Sequence, residues 1–379
     1  MDRLDAPRGS FTLARHPVRP GDRLRAWDAA DEMLLDHLDG QDLPDGATVV
    51  LVDDGWGALA TALADLRPTS VADSYGARQA TVANLAANGI DPDRVALRTP
   101  LDPLPGRIDV AVLKAPKALD RLEHQLRLLA PRLHAGSIVV AGAMARHVHT
   151  STLDLFARLV GPTRTTRAVK KARLILVERD PDLAPGPDPW PRTTTVEGAT
   201  VVSHAGVFSA RKLDVGTRFL LAHLPEPGEH VDVVDLGCGN GVVGAVLARR
   251  DPDVRLTFLD DSSLAVASAE ATWRATFGPD RPARFSAGDG LLDLADGPPL
   301  APGSVDLVVV NPPFHQDHAV GDAVAWQMFS EAREVLRPGG ELRVVGNRHL
   351  AHHAKLTKLF GGHQVVASDA KFVVLRARR

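Results

Sequence analysis

Short runs of apolar residues alternate along the chain with longer segments in which apolar residues recur at helical spacing. In the first half, the short runs predict buried strands, and the segments between them predict helices. Strands are predicted at residues 48–52, 108–113, 137–141 and 174–177, and a further strand is predicted to end at residue 73. Helices are predicted at 26–38, 58–66, 76–88 and 119–129. Strands that alternate with helices in this way are typical of an α/β fold with a doubly wound parallel sheet.

The same order of elements returns in the second half of the chain. Strands are predicted at 231–236, 256–260, 283–286, 305–310, 341–345 and 371–375, and helices are predicted in a segment that ends at 250 and at 264–277, 323–336 and 352–360. We therefore predict two tandem, doubly wound, Rossmann-like domains.

Four landmarks fall in the same order in both halves, which indicates a duplicated domain. Residues 55–57 align with 239–241, Asp73 with Asp260, 114–117 with 311–314, and 145–147 with 347–349. The halves differ at one turn, where Leu51 and Asp53 stand in place of Asp235 and Gly237. A carboxylate in place of a glycine adds bulk and charge where a ligand must approach the backbone. We therefore expect the first domain to keep the fold and to lack the site.

A proline-rich segment separates the two halves. Residues 180–191 contain five prolines, which remove backbone donors and exclude a packed helix or a central strand. We therefore predict a first domain at 1–179, a semi-rigid linker at 180–199 and a second domain at 200–379.

The composition is that of an ordinary globular protein, with 44% hydrophobic residues, 24% charged residues and a net charge of −3. This balance gives no overall positive field that would recruit nucleic acid, although a local basic patch is compatible with it. Cys238 is the single cysteine, which excludes intramolecular disulfides and a cysteine-based zinc site, and we predict no bound metal. The N-terminus lacks the apolar core of a signal peptide and the chain has no long apolar run, so we expect a cytoplasmic protein without a membrane segment.

A glycine-rich turn joins the first predicted strand of the second half to the helix that follows it. Gly237, Gly239 and Gly241 come after Asp235 at every second position. Glycines let the backbone pass closely under a ligand, and a helix N-terminus favours a carboxylate or a phosphate. Because a dinucleotide site has a different glycine spacing, this turn suits a nucleoside with a small charged tail, such as S-adenosyl-L-methionine.

Two carboxylates near later strand ends extend this candidate cofactor site. Asp260 ends the second strand and can accept both ribose hydroxyls, as an acidic residue does in dinucleotide folds, while Asp261 is the competing candidate. Asp289 follows the third strand and can accept a hydrogen bond from an adenine amine, with a capping role as the alternative.

The tetrapeptide Asn311-Pro312-Pro313-Phe314 follows the predicted strand at 305–310. Open α/β sheets bind their ligands at the carboxyl ends of the strands. Asn311 Oδ1 and the Pro312 carbonyl can each accept one N–H of an exocyclic amine, which directs the nitrogen lone pair toward a methyl donor. Phe314 can stack on a base. This chemistry favours methylation of a planar amine, and by itself it leaves open which amine.

These motifs together resemble those of the ribosomal RNA guanine-N2 methyltransferases that have two tandem domains, one degenerate and one active. The similarity covers nearly the whole chain, and its motifs are 206–209 with 213–217, 311–315, 347–350 and 371–375. The resemblance implies S-adenosyl-L-methionine as cofactor and Asn311, Pro312 and Phe314 as catalytic residues, with Asn311 also touching the cofactor. It also implies that the first of these segments lines the cofactor pocket, through Phe208 and Gly216.

The family has one branch that modifies the small ribosomal subunit and one that modifies the large subunit. Residues 316–319, 325–326 and 170–173 look more like the large-subunit branch, which implies 23S ribosomal RNA as substrate. Separately from this resemblance, we expect a monomer. Two alternatives stay open at this point. One is a methyltransferase for another nitrogen, such as adenine N6 or a protein glutamine amide, and the other is a non-catalytic RNA-binding or ribosome-assembly factor.

Basic residues provide candidate contacts to RNA. Lys170, Lys171 and Arg173 belong to the densest basic run, and Arg348 follows a strand on the predicted catalytic edge. Such residues contact phosphates, so the first domain is expected to help hold the RNA, while a solvated surface is the alternative for the run.

Overall fold

The computed structural model describes residues 2–18, 24–313 and 318–379, and it divides into two compact units. Unit 1 spans Met1–Pro189 and unit 2 spans Trp190–Arg379. Within the described residues, each unit is built on one seven-stranded sheet with helices on both faces. The predicted α/β fold class is therefore confirmed.

The helices and strands of unit 1 follow one another in the order that the hydrophobic pattern predicts, with additional short elements. They are β1 (Asp2–Ala6), β2 (Gly9–Leu13), α1 (Ala29–Asp39), β3 (Val49–Val52), α2 (Ala58–Ala62), β4 (Thr69–Val71), α3 (Tyr75–Ala87), β5 (Ala96–Arg98), β6 (Ile108–Lys114), α4 (Leu119–Leu129), β7 (Leu133–Met144), α5 (Thr150–Leu159), β8 (Thr163–Thr165) and β9 (Ala172–Val177).

Unit 2 repeats this order after a β-hairpin. Its elements are β10 (Arg192–Val196), β11 (Ala199–Ser203), α6 (Val215–Leu221), β12 (Asp232–Leu236), α7 (Val242–Arg250), β13 (Arg255–Asp260), α8 (Ser263–Phe277), β14 (Arg284–Ala287), β15 (Val305–Val310), α9 (His318–Val335), β16 (Leu336–Asn347), α10 (His352–Phe360), β17 (Gln364–Ser368) and β18 (Phe372–Arg378).

The two large sheets have the same topology. The strand order is β5-β4-β3-β6-β7-β9-β8 in unit 1 and β14-β13-β12-β15-β16-β18-β17 in unit 2. In each sheet the first five strands of this order run parallel to one another. The sixth strand pairs antiparallel with the fifth, and the seventh pairs antiparallel with the sixth. The order reverses beside β3 and beside β12, and this switch point is where open α/β sheets bind ligands.

The central strands form because their residues are apolar on both faces. Every residue of β3 is buried, and in β15 only Asp306 is not fully buried. In unit 2, Phe258 and Trp273 belong to the apolar cluster on one face, and Phe329 belongs to the cluster on the other face. Along the part of the chain that the structure describes, no helix combines the length and apolar character that a membrane crossing requires.

The strand registers test the four landmarks of the duplication. Val52 lies beside Val71 and Leu236 lies beside Leu259, which places Asp53 at the position of Gly237, as predicted. The pairings of β3 with β6 and of β12 with β15 likewise place Lys114 at the position of Asn311.

The other two landmarks are shifted by one residue. Ala72, and not Asp73, holds the position of Asp260, and Met144, and not Ala145, holds that of Asn347. The helix caps confirm the first shift. Ser74, which caps α3, comes two residues after Ala72, and Ser262, which caps α8, comes two residues after Asp260. An acidic residue near a strand end has no backbone requirement that fixes its register, whereas a glycine in a tight turn does.

The segment predicted as a linker contains part of a hairpin. β10 lies inside residues 180–199 and pairs with β11, because Arg192–Val196 begins after the last proline and contains β-branched residues. The boundary between the two compact units falls between Pro189 and Trp190.

Candidate active site

The glycine turn predicted from the sequence links β12 to α7 at the switch point of the second sheet. Gly237, Gly239 and Gly241 have φ values of 68°, 54° and 72°, in the left-handed region that favours glycine. The Gly237 amide donates to the Leu259 carbonyl at 2.8 Å, which ties the turn to β13. A Cβ on Gly241 would lie 2.8 Å from the Ala269 Cα, so this glycine also allows α7 and α8 to pack closely.

Asp260 braces this turn from the neighbouring strand. Its Oδ2 accepts from the Gly239 amide and its Oδ1 accepts from the Ser262 amide, both at 2.9 Å. Ser262, and not Asp260, caps α8, because its side chain accepts from the Ala265 amide at 3.0 Å. Asp261 is exposed. The structure thus brings Asp260 to the glycine turn, as the sequence predicted.

Asp235 lies beneath the turn. The residue is 4% exposed, and its Oδ2 accepts from the Gly244 amide of α7 at 2.9 Å. Burial raises the pKa of Asp235 to about 7, a tendency that the Gly244 amide opposes and the charge of Asp260 reinforces. Asp235 thus supports the turn from below, and its direct contact with the cofactor stays a prediction.

Asp289 lies in the loop after β14. Its Oδ1 accepts from the Gln327 side chain of α9 at 3.2 Å, and its backbone amide donates to the Asp293 carbonyl at 2.9 Å. The side chain is therefore oriented by α9 and does not cap a helix, which was the alternative reading.

Phe208 and Gly216 lie on the segment that precedes β12. Phe208 is 51% exposed, and its carbonyl oxygen would be 3.8 Å from a Cβ on Gly239, so this segment passes close to the glycine turn. Gly216 lies in the first turn of α6, where a Cβ would come within 3.0 Å of the Phe372 ring. The glycine therefore allows α6 to approach β18.

Asn311 follows β15 at the carboxyl edge of the sheet. Its Nδ2 donates to the Thr217 hydroxyl at 3.0 Å, which holds the amide in one orientation. Its Oδ1 is buried and has no hydrogen-bond partner among the residues that the structure describes. A buried acceptor without a partner is costly, and it points to a donor that a substrate brings.

The rest of the tetrapeptide is described in part. Pro312 is buried and Pro313 is exposed. Phe314 lies outside the described residues, and so do His315 and the two residues that follow it.

Thr217 is a site residue that sequence reasoning missed. It lies in α6, which Asp214 begins by accepting from the Thr217 amide at 2.9 Å. Aspartate is a favoured N-cap residue, so Asp214 was the available sequence signal for this helix. The pairing with Asn311, 94 residues away, leaves no local signal.

In unit 1, charged side chains stand at the positions that Gly237 and Asn311 hold in unit 2. Asp53, at the position of Gly237, accepts from Arg121 at 3.0 Å and from Gln125 at 2.6 Å. Lys114, at the position of Asn311, donates to Asp28 at 2.6 Å and lies 2.9 Å from Asp31. In unit 1, side-chain contacts thus stand where unit 2 has a glycine and an amide oxygen without a partner in the described residues, and the absence of a cofactor site from unit 1 stays a prediction.

The predicted RNA-contacting residues lie on the surfaces of the two units. Lys170 and Lys171 are exposed at the turn between Val169 and Ala172, and Lys170 also pairs with Glu32 at 2.6 Å. Arg173 follows in β9 and is half-buried. In unit 2, exposed Arg348 donates to the Asp369 carbonyl at 3.2 Å.

Comparison with known proteins places this arrangement in a family. Residues 1–181 match the family model described as the RLMG N-terminal domain, and residues 198–376 match the methyltransferase small domain. A ribosomal RNA large subunit methyltransferase G from Streptomyces coelicolor is 54% identical over 99% of both chains. The relative of the same name from Aeromonas salmonicida is 45% identical over 99% of this chain and 98% of its own. This chain belongs to the ribosomal RNA large subunit methyltransferase G family.

Membership in this family confirms the predicted resemblance and its large-subunit branch. Among solved structures, the T. thermophilus 16S rRNA N2 G1207 methyltransferase, in complex with AdoMet and guanosine, matches with a TM-score of 0.70. It is 24% identical and the match covers 100% of this chain and 97% of that chain, so the likeness supports the tandem fold.

Proposed function

We propose that this protein uses S-adenosyl-L-methionine to methylate the N2 amine of a guanine in large-subunit ribosomal RNA. The observation that carries the proposal is the buried Oδ1 of Asn311, which has no partner in the described parts of the chain and lies at the same sheet edge as the glycine turn. The relatives named large subunit methyltransferases support the choice of RNA, and the guanosine in the T. thermophilus enzyme supports the choice of base.

The residues of unit 2 fit the cofactor. The left-handed turn at Gly237, Gly239 and Gly241 lets a ligand approach the backbone, and the Asp260 carboxylate, which contacts this turn, is proposed to accept from the ribose hydroxyls. Phe208 lies on a segment that passes close to this turn, and Phe208, Gly216, Asp289 and Asn311 are proposed as further cofactor contacts. The cofactor supplies an electrophilic methyl group on a sulfonium.

Asn311 orients the acceptor amine. A guanine amine is a poor nucleophile because its lone pair is delocalised into the ring. Asn311 Oδ1 and the Pro312 carbonyl each accept one N–H, which favours tetrahedral nitrogen and directs its lone pair toward the methyl group. With the cofactor bound, N2 would take the methyl group as the carbon–sulfur bond breaks, and the N2 proton would then pass to solvent because methylation makes it acidic. Phe314 is proposed to stack on the base.

Unit 1 is proposed to help hold the RNA. Lys170, Lys171 and Arg173 carry positive charge on a surface hairpin, and Arg348 does so beside the end of β16. Because one unit contains every proposed catalytic residue, the protein is expected to act as a monomer. The single cysteine agrees with the reducing cytoplasm in which ribosomal RNA is modified.

The test uses the purified full chain, the cofactor, and large- or small-subunit ribosomal RNA from cells that lack the corresponding gene. Modified nucleosides are then identified by mass spectrometry. We expect N2-methylguanosine to form in the large-subunit RNA. Methylation of adenine N6, or of a protein glutamine, would transfer the proposal to another amine. Cofactor binding without methylation of any of these acceptors, in RNA or in whole subunits, would overturn it.

A further inference from the structure

A second amide at the same sheet edge lacks a hydrogen-bond partner. Asn347 is the last residue of β16, the strand beside β15, and its Oδ1 is buried without a partner in the described ranges. The proposed function leaves this atom without a role. A buried amide oxygen is an acceptor with two lone pairs, so an unpaired one indicates a donor that arrives from outside the chain.

Asn347 faces the same side of the sheet as Asn311. It pairs directly with Phe372 of β18, and directly opposed residues of antiparallel strands share one face. Phe372 approaches α6 at Gly216, and the next residue of that helix is Thr217, the partner of Asn311. Both amides are thus connected to the first turn of α6, Asn311 directly through Thr217 and Asn347 through its strand partner Phe372.

The strand register gives the separation of the two residues. Val310 lies beside Val344, so Asn311 continues beside Val345, and Asn347 is two residues further along β16. With usual strand spacings, the two Cα atoms are about 8 Å apart. Two side chains that lean toward the same ligand from that separation can contact neighbouring groups of one base.

We infer that Asn347 Oδ1 accepts the N1–H of the target guanine and so determines the specificity for that base. This inference rests on the proposed function. Guanine presents N1–H beside the N2 amine, so its Watson–Crick edge carries adjacent donors. Asn311 and Pro312 take the amine, and the neighbouring N1–H requires one more acceptor, which Asn347 provides.

The same atom rejects adenine. Adenine carries a ring nitrogen with a lone pair beside its exocyclic amine, and an amide oxygen facing that lone pair gains no hydrogen bond. A site built around a substrate donor discriminates strongly against an analogue without it, because a buried polar group is left unpaired. Asn347 thus separates two planar amines that Asn311 and Pro312 alone treat alike.

The test compares two bases at the target position of the large-subunit RNA, once that position has been mapped with the wild-type enzyme. One RNA carries guanine and the other carries 2-aminopurine, which keeps the 2-amine and replaces N1–H with a lone pair. We expect Asn347→Leu to lower kcat/KM for guanine about 10- to 100-fold and to change kcat/KM for 2-aminopurine by less than about threefold. Asn347→Asp, which keeps an acceptor, should retain most of the preference for guanine.

Cofactor affinity is measured for each variant, and it should match the wild type. Equal losses on both bases would overturn the inference, because they would show a structural role. So would a leucine variant with weakened cofactor binding, or an aspartate variant as poor as the leucine variant. If the wild-type enzyme forms no N2-methylguanosine at all, the proposed function itself fails, and that outcome is distinct from these.

Discussion

Asn311 Nδ2 lies 3.0 Å from Thr217 Oγ1, and in unit 1 the matching positions are held by Lys114 and Asp31, whose charged atoms lie 2.9 Å apart. The duplicated fold thus keeps a polar pair between its first helix, α1 or α6, and the end of its fourth parallel strand. In unit 2 the pair leaves one amide oxygen for a substrate. In unit 1 the Lys114 ammonium lies 2.6 Å from Asp28 and 2.9 Å from Asp31, and these charges outweigh burial and raise the pKa of Lys114.

The Thr217 hydroxyl is expected to position Asn311 for catalysis. In Thr217→Val the amide loses its partner and can turn its Nδ2 toward the substrate, so we expect kcat to fall about 5- to 50-fold, the range for a lost buried hydrogen bond. Thr217→Ser keeps the hydroxyl and should recover most of kcat. The measurement is steady-state kinetics together with calorimetric titration of the cofactor. A fall confined to cofactor affinity would instead assign Thr217 to the cofactor site.

Gly237→Asp recreates in unit 2 the residue that unit 1 carries at this position. We expect wild-type protein to bind one cofactor per chain and the variant to bind none, because a carboxylate would enter the space that the ligand needs. The control is Gly303→Asp, which has a similar φ of 66° and no atom within 4 Å of its added Cβ. The measurement is calorimetric titration, which gives the number of cofactor molecules bound per chain. Residual binding of one equivalent by Gly237→Asp would show a site in unit 1.

Asp235 should make the stability of the protein depend on pH. Its pKa is raised to about 7, so between pH 4 and 7 the folded protein keeps a proton that the unfolded chain releases. The free energy of unfolding therefore falls as pH rises through this window. We expect Asp235→Asn to become progressively more stable than wild type between pH 5 and pH 8, by about 1–4 kcal/mol at the upper end.

Taking the difference in unfolding free energy between Asp235→Asn and wild type cancels the contributions of the other titrating groups. Asp54 of unit 1 is also buried, with a pKa raised to about 7, and it affects wild type and variant equally. Urea unfolding at both pH values gives the free energies, and Asp280→Asn, at an exposed residue, is the control. A difference between Asp235→Asn and wild type that stays constant with pH would show that Asp235 is ionised throughout.

The turn that carries Lys170 and Lys171, before β9, is expected to contact RNA phosphates. Neutralising Lys170 and Lys171 together to glutamine should weaken RNA binding and reduce the slope of log affinity against log salt by about 1–2. Arg94 and Arg98, which are exposed elsewhere on unit 1, changed together to glutamine, provide a matched control that should bind as wild type does. An unchanged slope in the lysine variant would place the RNA on another surface.

The sequence predicts the elements whose pattern is strong and local. β15 and α4 were predicted with the bounds that the structure shows, because a continuous apolar run and an amphipathic repeat are strong local signals. The sequence patterns did not predict α5, α6, the edge strands β5, β8 and β17, or the hairpins β1–β2 and β10–β11. These elements are short or half-exposed, and tertiary contacts decide their structure.

The candidate site could be predicted from the sequence only where its features are local. The glycine turn and Asn311 were found because a tight turn and a strand end restrict the residue types allowed there. The burial of Asp235, the bond from Asn311 to Thr217 and the free oxygen of Asn347 depend on residues far apart in sequence, so their roles required coordinates.

The most direct test of the central claim is the methylation state of ribosomal RNA in cells that lack this gene. The account predicts that mass spectrometry finds one N2-methylguanosine missing from the large-subunit RNA, that the wild-type gene restores it, and that Asn311→Ala does not, although this variant still binds the cofactor. An unchanged set of N2-methylguanosines in the deletion strain, or full restoration by Asn311→Ala, would contradict it.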